Sequence, residues 1–179
     1  VDYAEAHYNR GIVLQELGRL DSALASLDRA IAFRPDYAAA HNNRGTQLLD
    51  LSRLDEALAA FDTAIALTGG FAEAYLNKSY CLLRMGLYEE GWRPHEWRKK
   101  TERPVGHRSF PQPLWLGRED IANKTVFVHW EQGFGDTLQF CRYANLLRAR
   151  GANVIMSVQE PLYRLISHSM RGIRLLKGD

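Results

Sequence analysis

Apolar and small residues recur along the first half of the chain with the spacing of amphipathic helices. Residues that do not continue a helix, Pro35 and Thr68-Gly69-Gly70, follow every second segment. The predicted helices span about Tyr3–Leu17, Leu20–Phe33, Tyr37–Leu51, Leu54–Leu67 and Phe71–Met85.

The helical pattern repeats every 34 residues. Residues 7–11 read HYNRG and residues 41–45 read HNNRG, and Asn77-Lys78 stands at the same place in a third copy. A period of this length predicts helix–turn–helix units that stack into a solenoid. Small residues at matching places allow the two helices of a unit to pack closely, and these are Gly11, Gly45, Ala23 and Ala57. Residues suited to a tight turn lie between the two helices, and these are Gly18, Ser52 and Gly86.

This repeat resembles the tetratricopeptide repeat. The family pattern places a bulky residue, Leu-Gly and an aromatic residue on the first helix, and Ala, an aromatic residue and Pro on the second. In the first unit these places hold His7, Arg10-Gly11, Leu14, Ala23, Leu27 and Pro35. In the second they hold His41, Arg44-Gly45, Leu48, Ala57 and Phe61, with Gly69 where Pro is expected. The resemblance implies a solenoid of about three repeats, at 1–35, 36–70 and 71–98.

The last repeat departs from the pattern. Pro94 lies inside the expected second helix, or in its first turn if that helix begins late. Trp92 and Trp97 are five residues apart and therefore lie on different sides of a helix. We expect both to be buried, as a cap that closes the solenoid against the rest of the chain.

The segment 99–117, with three prolines and several positive side chains, predicts an extended linker that is either merely solvated or steers an anionic ligand. Strands and helices then alternate. The predicted strands are Thr125–Trp130, Asn153–Val158 and Ile173–Leu176, and the predicted helices are Thr137–Arg150 and Pro161–Ser169. The fold class is α+α/β: a tetratricopeptide solenoid followed by a partial Rossmann-like β-α-β-α-β unit at 118–179.

One face or edge of such a sheet is expected to stay uncovered. A second copy of the chain, the linker around Pro111–Leu116 or the last repeat would have to cover it, so self-association or ordering of the linker is expected. Val1-Asp2-Tyr3 aligns with Pro35-Asp36-Tyr37, and the sheet has few strands. Both features suggest a fragment of a longer protein.

Composition narrows the class of protein only slightly. The net charge of +2 does not favour nucleic acid. Cys81 and Cys141 lack metal-ligand spacing and are expected to be buried thiols of a reducing compartment. With no signal peptide and no apolar run of bilayer length, the sequence predicts a cytoplasmic protein without a membrane span. His7 and His41 take the place of a packing residue, so we expect core positions rather than a metal site.

The turn Gly133-Phe134-Gly135-Asp136 joins the first strand to a helix, where open α/β sheets bind ligands. It matches neither a nicotinamide fingerprint, since Leu138 replaces the third glycine, nor a nucleotide P-loop. From the residues alone, the glycines either form a tight turn with Asp136 as a helix cap or form a ligand site.

The stretch 131–143, preceded by Gly-Trp, Glu-Trp-Arg and Trp-x-Gly, resembles bacterial tetratricopeptide proteins with a glycosyltransferase-like domain similar to heptosyltransferases. The resemblance implies Asp136 as a general base or positioning group. It also implies an acceptor site at Glu131, Gln132, Gly133 and Gly135. It implies that only a full-length parent protein would bind a sugar nucleotide. We therefore expect this chain to bind no cofactor and to catalyse no sugar transfer.

Asn9, Asn43 and Asn77 share one place in successive repeats, so stacking aligns their amides. The row resembles the asparagine ladder of O-linked N-acetylglucosamine transferases, and it predicts binding of a protein or extended peptide. Alternatively, the amides only connect neighbouring helices. The predicted function is a peptide-binding module on a truncated glycosyltransferase-like domain, and the alternative is a scaffold without enzymatic activity.

Overall fold

A computed structural model of the chain describes residues 3–101, 108 and 110–178. The chain divides into two compact units between residues 104 and 105. We call residues 3–101 the helical unit, and residues 108 and 110–178 the sheet unit. The predicted linker lies partly outside the described residues, at 102–107 and 109.

The helical unit consists of antiparallel helix pairs, as the 34-residue period predicts. The helices are α1 (Tyr3–Glu16), α2 (Leu20–Phe33), α3 (Ala38–Asp50), α4 (Leu54–Leu67), α5 (Ala72–Arg84) and α6 (Tyr88–His95). The five predicted helices are confirmed to within about a residue at each end. No helix in the described part of the chain is long and apolar enough to cross a membrane.

The turn within each pair has the same backbone geometry. Gly18, Ser52 and Gly86 have positive φ angles of 68°, 60° and 81°. In each case the next residue donates its N–H to the carbonyl oxygen five residues back. The N–H of Arg19, for example, donates to the carbonyl oxygen of Leu14 at 2.8 Å. The prediction that Ser52 replaces a glycine here is confirmed. Its Cβ makes the left-handed conformation more costly than at the two glycines.

Small residues set the distance between the helices of a pair. A Cβ built on Gly45 would lie 2.5 Å from the Phe61 ring, and one built on Gly11 would lie 2.9 Å from Leu27. Ala23 and Phe61 are both fully buried, so these contacts form the core. The close approach predicted from the glycines is confirmed.

The sixth helix differs from expectation. Pro94 lies near the end of α6 and not in the first turn of a late helix. Helix α6 ends one residue later, and the chain tightens into a 3₁₀ helix at Glu96–Lys99. A proline near the carboxyl end removes one hydrogen bond and favours termination of the helix.

The two tryptophans of this repeat are not equivalent. Trp92 is 55% exposed and touches His95 edge-on, so its predicted burial is wrong. Trp97 is half-buried and stacks on Tyr75 of α5. An eight-residue α6 places Trp92 on its exposed side, and the 3₁₀ segment turns Trp97 back toward α5.

The sheet unit contains three parallel strands in the order β1-β2-β3, which confirms the predicted three-stranded parallel sheet. Its elements are β1 (Thr125–His129), α7 (Phe134–Phe140), α8 (Tyr143–Ala149), β2 (Asn153–Gln159), α9 (Glu160–Ser169) and β3 (Arg174–Gly178). The single helix predicted at Thr137–Arg150 is wrong. It breaks at Cys141-Arg142, because Ala144 and Asn145 bond carbonyls three residues back instead of four.

The two faces of the sheet are buried to different extents. Val154, Met156 and Val158 of β2 are buried in the core that includes residues of α8 and α9. The opposite face carries Phe127 and Leu176, which are 41% and 38% exposed.

Residues of the predicted linker pack on both sides of the sheet. The Phe110 ring lies 5.4 Å from that of Phe127 and 4.9 Å from that of His129. Trp115 packs against the buried core on the other side. Ordering of these linker residues, one of the expected ways to cover the sheet, is therefore observed.

Candidate functional site

Side chains at the asparagine positions connect the first helices of successive repeats. The Asn43 amide donates to the Tyr8 hydroxyl at 3.1 Å, and the Asn77 amide donates to Oδ1 of Asn42 at 3.0 Å. Both bonds join residues 35 positions apart. Asn9 is exposed and makes no hydrogen bond to a described residue. The three amides thus lie along α1, α3 and α5, and two of them also hold these helices together.

Tyr37, at the start of α3, adjoins the same face. Its ring lies 4.9 Å from that of Tyr8. Burial raises the pKa of Tyr37, and the nearby Tyr8 hydroxyl and Glu5 carboxylate raise it further. The Glu5 carboxylate therefore contributes a negative potential beside the first hydrogen bond of the ladder.

The cationic residues next to the asparagines face the second helices of the repeats. Arg44 pairs with Asp28 of α2 at 2.7 Å, and Lys78 pairs with Asp62 of α4 at 2.5 Å. Arg10 donates to Ser26 at 2.9 Å. The two ion pairs connect neighbouring repeats, and the Arg10 bond connects the two helices of the first repeat. All three side chains are directed away from the asparagine side of their helices.

The two histidines predicted at core positions are only half-buried and lie outside the buried core, so that prediction is wrong. The His7 ring stacks on Phe33 with centroids 5.5 Å apart. His41 Nε2 lies 2.9 Å from the carbonyl oxygen of Pro35. Within the described ranges, no group of three or more His, Cys, Asp or Glu side chains is arranged to hold a metal ion.

Two clefts between neighbouring repeats were not anticipated from the sequence. The larger has a volume of about 740 Å³ and lies among α4, α5 and α6, while the smaller, about 310 Å³, lies among α2, α3 and α4. Five lining positions correspond with the 34-residue shift: His41 and Tyr75, Arg44 and Lys78, Ala59 and Arg93, Ala60 and Pro94, Thr63 and Trp97. The repeat period was the signal that could have located both.

In the sheet unit, the turn Gly133–Asp136 follows β1 at the carboxyl edge, where it was predicted. Asp136 is the third residue of α7, and its Oδ2 accepts the N–H of Gly133 at 3.2 Å. This carboxylate therefore closes the start of the helix, as the capping alternative requires. Gly133 and Gly135 are exposed, and a Cβ on Gly135 would meet no atom within 4 Å.

Further polar groups lie at this edge. Gln132 is exposed, and its carbonyl accepts the Gln159 amide at 3.1 Å. Oε1 of Gln159 and Nε1 of Trp130 are buried and have no hydrogen-bond partner among the described residues. Gln159 pairs with Gly178 in the sheet, and a Cβ on Gly178 would lie 2.9 Å from Nε1 of Trp130. Glu131 is half-buried one residue after Trp130. An unsatisfied donor thus lies beside Gly178, and the residue paired with Gly178 in the sheet carries an unsatisfied acceptor.

The helical unit is similar to known proteins in sequence and in fold. A family model described as "Tetratricopeptide repeat" matches residues 8–70 and 42–91. No match was found among curated protein sequences.

Among solved structures, the chain is similar to the second TPR of Spaghetti (RPAP3) bound to HSP90 peptide SRMEEVD, with 23% identity and a TM-score of 0.52 over 53% of this chain and 88% of that one. It is also similar to MamA, with 27% identity and a TM-score of 0.51 over 54% of this chain. That match covers 53% of the MamA chain, about half of its length. The TPR2B domain of yeast Sti1 in its pHsp70 complex matches at 22% identity, with a TM-score of 0.53 over 54% of this chain and 78% of that one. The helical unit of this chain is therefore a solenoid of tetratricopeptide repeats.

Proposed function

We propose that the helical unit is a protein-binding module that holds an extended segment along α1, α3 and α5 through Asn9, Asn43 and Asn77. The observation that supports this most directly is the alignment of these amides across the first helices of the repeats. An amide both donates and accepts, so a row of them suits the backbone of an extended chain, whatever its sequence. The similar Spaghetti structure holds an HSP90 peptide, which is in keeping with such a role for the fold.

Asn9 offers the sharpest test, because its side chain is exposed and makes no bond within the described protein. We expect Asn9→Ala to leave the melting temperature unchanged and to weaken binding of selected heptapeptides about fivefold, as for one lost hydrogen bond. The peptides would be selected from a random library on the unchanged protein.

Asn43→Ala should weaken binding and also lower the melting temperature by a few degrees, since Asn43 bonds Tyr8. Thr68→Ala, at an exposed position after α4, is the matched control and should change neither quantity. Unchanged binding by the Asn9 and Asn43 variants would limit these amides to a structural role.

For the sheet unit we propose a partial Rossmann-like domain of the glycosyltransferase-like kind, with an acceptor site at Glu131, Gln132, Gly133 and Gly135. The unpaired atoms Gln159 Oε1 and Trp130 Nε1 favour this proposal. Buried polar atoms without a partner are costly, and a sugar hydroxyl could donate to one and accept from the other.

Titration of a panel of monosaccharides, followed through backbone amide chemical shifts, tests this site. Shifts at Gly133, Gly135 and Gly178 that disappear in Gln159→Leu would support it. Asp136→Asn distinguishes positioning from capping, because the amide keeps an acceptor oxygen for the Gly133 N–H but loses the negative charge. A cap alone therefore predicts unchanged sugar affinity, and a carboxylate that positions the acceptor predicts weaker binding. Absence of any shift at millimolar sugar would leave the non-enzymatic scaffold as the function of the whole chain.

A further inference from the structure

We propose that the segment held on the asparagine face carries net positive charge. This inference rests on the proposed function of that face and adds the class of partner. It follows from the side chains that share the face with the asparagines.

Residues four before, three after and seven after a given residue lie on the same side of a helix. Applied to each asparagine, this rule defines the asparagine face as Glu5, Asn9, Ile12 and Glu16 on α1; Ala39, Asn43, Thr46 and Asp50 on α3; and Glu73, Asn77, Tyr80 and Arg84 on α5. Four carboxylates and one guanidinium occupy these positions, so the face is acidic in a chain whose net charge is +2.

The one guanidinium on this face is already engaged with the protein. Arg84 donates to the carbonyl oxygen of Leu49 at 2.8 Å and to the Ser52 hydroxyl at 3.0 Å. The cations beside the asparagines, Arg44 and Lys78, are paired with carboxylates of the second helices. Positive charge is thus directed away from the face or held by backbone and hydroxyl oxygens.

Acids at the carboxyl ends of α1 and α3 are available to a partner. Glu16 and Asp50 are exposed and make no hydrogen bond or ion pair with a described residue. Oδ1 of Asn77 likewise accepts no hydrogen bond within the described part of the chain. An exposed set of acceptors and carboxylates complements lysine and arginine side chains and repels an acidic segment.

The test uses a random heptapeptide library selected on the protein and sequenced after binding. A peptide pool enriched in lysine and arginine is expected, and raising the sodium chloride concentration from about 0.05 M to 0.5 M should weaken binding of its members, because salt screens exposed charges. Two defined peptides serve as probes, SRMEEVD and its charge-reversed form SRMKKVK, of which only the second should compete.

Glu16→Gln and Asp50→Asn should each weaken the selected basic peptides about threefold without changing the melting temperature. Asp21→Asn, exposed on α2 and outside the face, is the matched control and should have no effect. If the selected peptides are acidic or neutral but bind less tightly to the Asn9 and Asn43 variants, the inference is overturned and the proposed function remains. Binding that ignores the asparagine variants would overturn both.

Discussion

The indole ring of Trp97 lies parallel to the phenol ring of Tyr75, with centroids 4.1 Å apart and 6° between the planes. The ammonium group of Lys100 lies 4.2 Å from the centre of the same indole ring. Trp97 thus connects the 3₁₀ segment after α6 to α5, and it forms part of the wall of the larger cleft.

Replacement of Trp97 by alanine should lower the free energy of unfolding of the helical unit by about 2–4 kcal/mol, because a half-buried stacked ring is lost. Trp92→Ala removes a more exposed ring and should cost about 0.5 kcal/mol or less. Urea denaturation followed by helical circular dichroism measures both values. Equal losses in the two variants would contradict the different roles that we assign to the rings.

The repeats were the most predictable part of the molecule. The 34-residue period predicts the helices of every repeat. The same period identifies the residues that pack between helices, such as Gly45 against Phe61, and the turn residue Ser52. Local pattern and tertiary packing agree there, since each unit buries the same face against its neighbour.

The sequence was less informative where a single residue decides between two geometries. Pro94 allowed either a proline inside the expected helix or a helix that begins late, and the sequence around it did not predict the early end that the structure shows. The break at Cys141-Arg142 lies in an unbroken apolar pattern, because it arises from hydrogen bonds to the third residue back. Likewise, the sequence does not indicate that Asn43 is bonded to Tyr8 while Asn9 is exposed, because the bond joins residues far apart in the chain.

Alanine at Gly45 should destabilise the helical unit by about 1–3 kcal/mol or more, since its Cβ would meet the fully buried Phe61 ring at 2.5 Å. Gly11→Ala should cost less, because Leu27 is more flexible than a ring. Gly69→Ala is the control: its Cβ meets no atom within 4 Å, and we expect a change within about 0.5 kcal/mol. Thermal denaturation should rank the three variants in that order, and a tolerated Gly45→Ala would contradict the packing described.

The two thiols should differ in reactivity. Cys81 is fully buried, its Sγ donates to the carbonyl oxygen of Leu54 at 3.2 Å, and burial raises the pKa of its thiol. Cys141 is only half-buried. Because the thiolate is the reactive form, iodoacetamide at neutral pH should alkylate Cys141 first, and Cys81 should react only when the helical unit unfolds. Mass spectrometry of timed samples tests the order, which comparable rates would refute.

The Glu96 carboxylate makes stability depend on pH. Partial burial raises its pKa, but hydrogen bonds from Arg98 at 2.8 Å and Lys99 at 2.9 Å outweigh burial, so the pKa lies below the ordinary 4.5. A lowered folded-state pKa means that the stabilisation is complete above the unfolded value and is lost as the pH falls through the folded one. Glu96→Gln should therefore reduce the difference in stability between pH 6 and pH 3. Glu89→Gln is the exposed control, and the same reduction in both variants would exclude Glu96 as the cause.

The exposed face of the sheet predicts self-association of the chain. Phe127 and Leu176 present apolar surface there, and Phe110 covers it in part while remaining 39% exposed. Exposed apolar side chains favour contact with another protein surface, and two copies of one face are self-complementary when related by a twofold axis. Phe127→Ser should therefore shift the protein toward the monomer in sedimentation velocity runs at micromolar concentrations. Phe134→Ser, which removes a 51% exposed ring from α7, is the control and should leave the distribution unchanged. A protein that is monomeric before either substitution would show that Phe110 and its neighbours cover the sheet sufficiently.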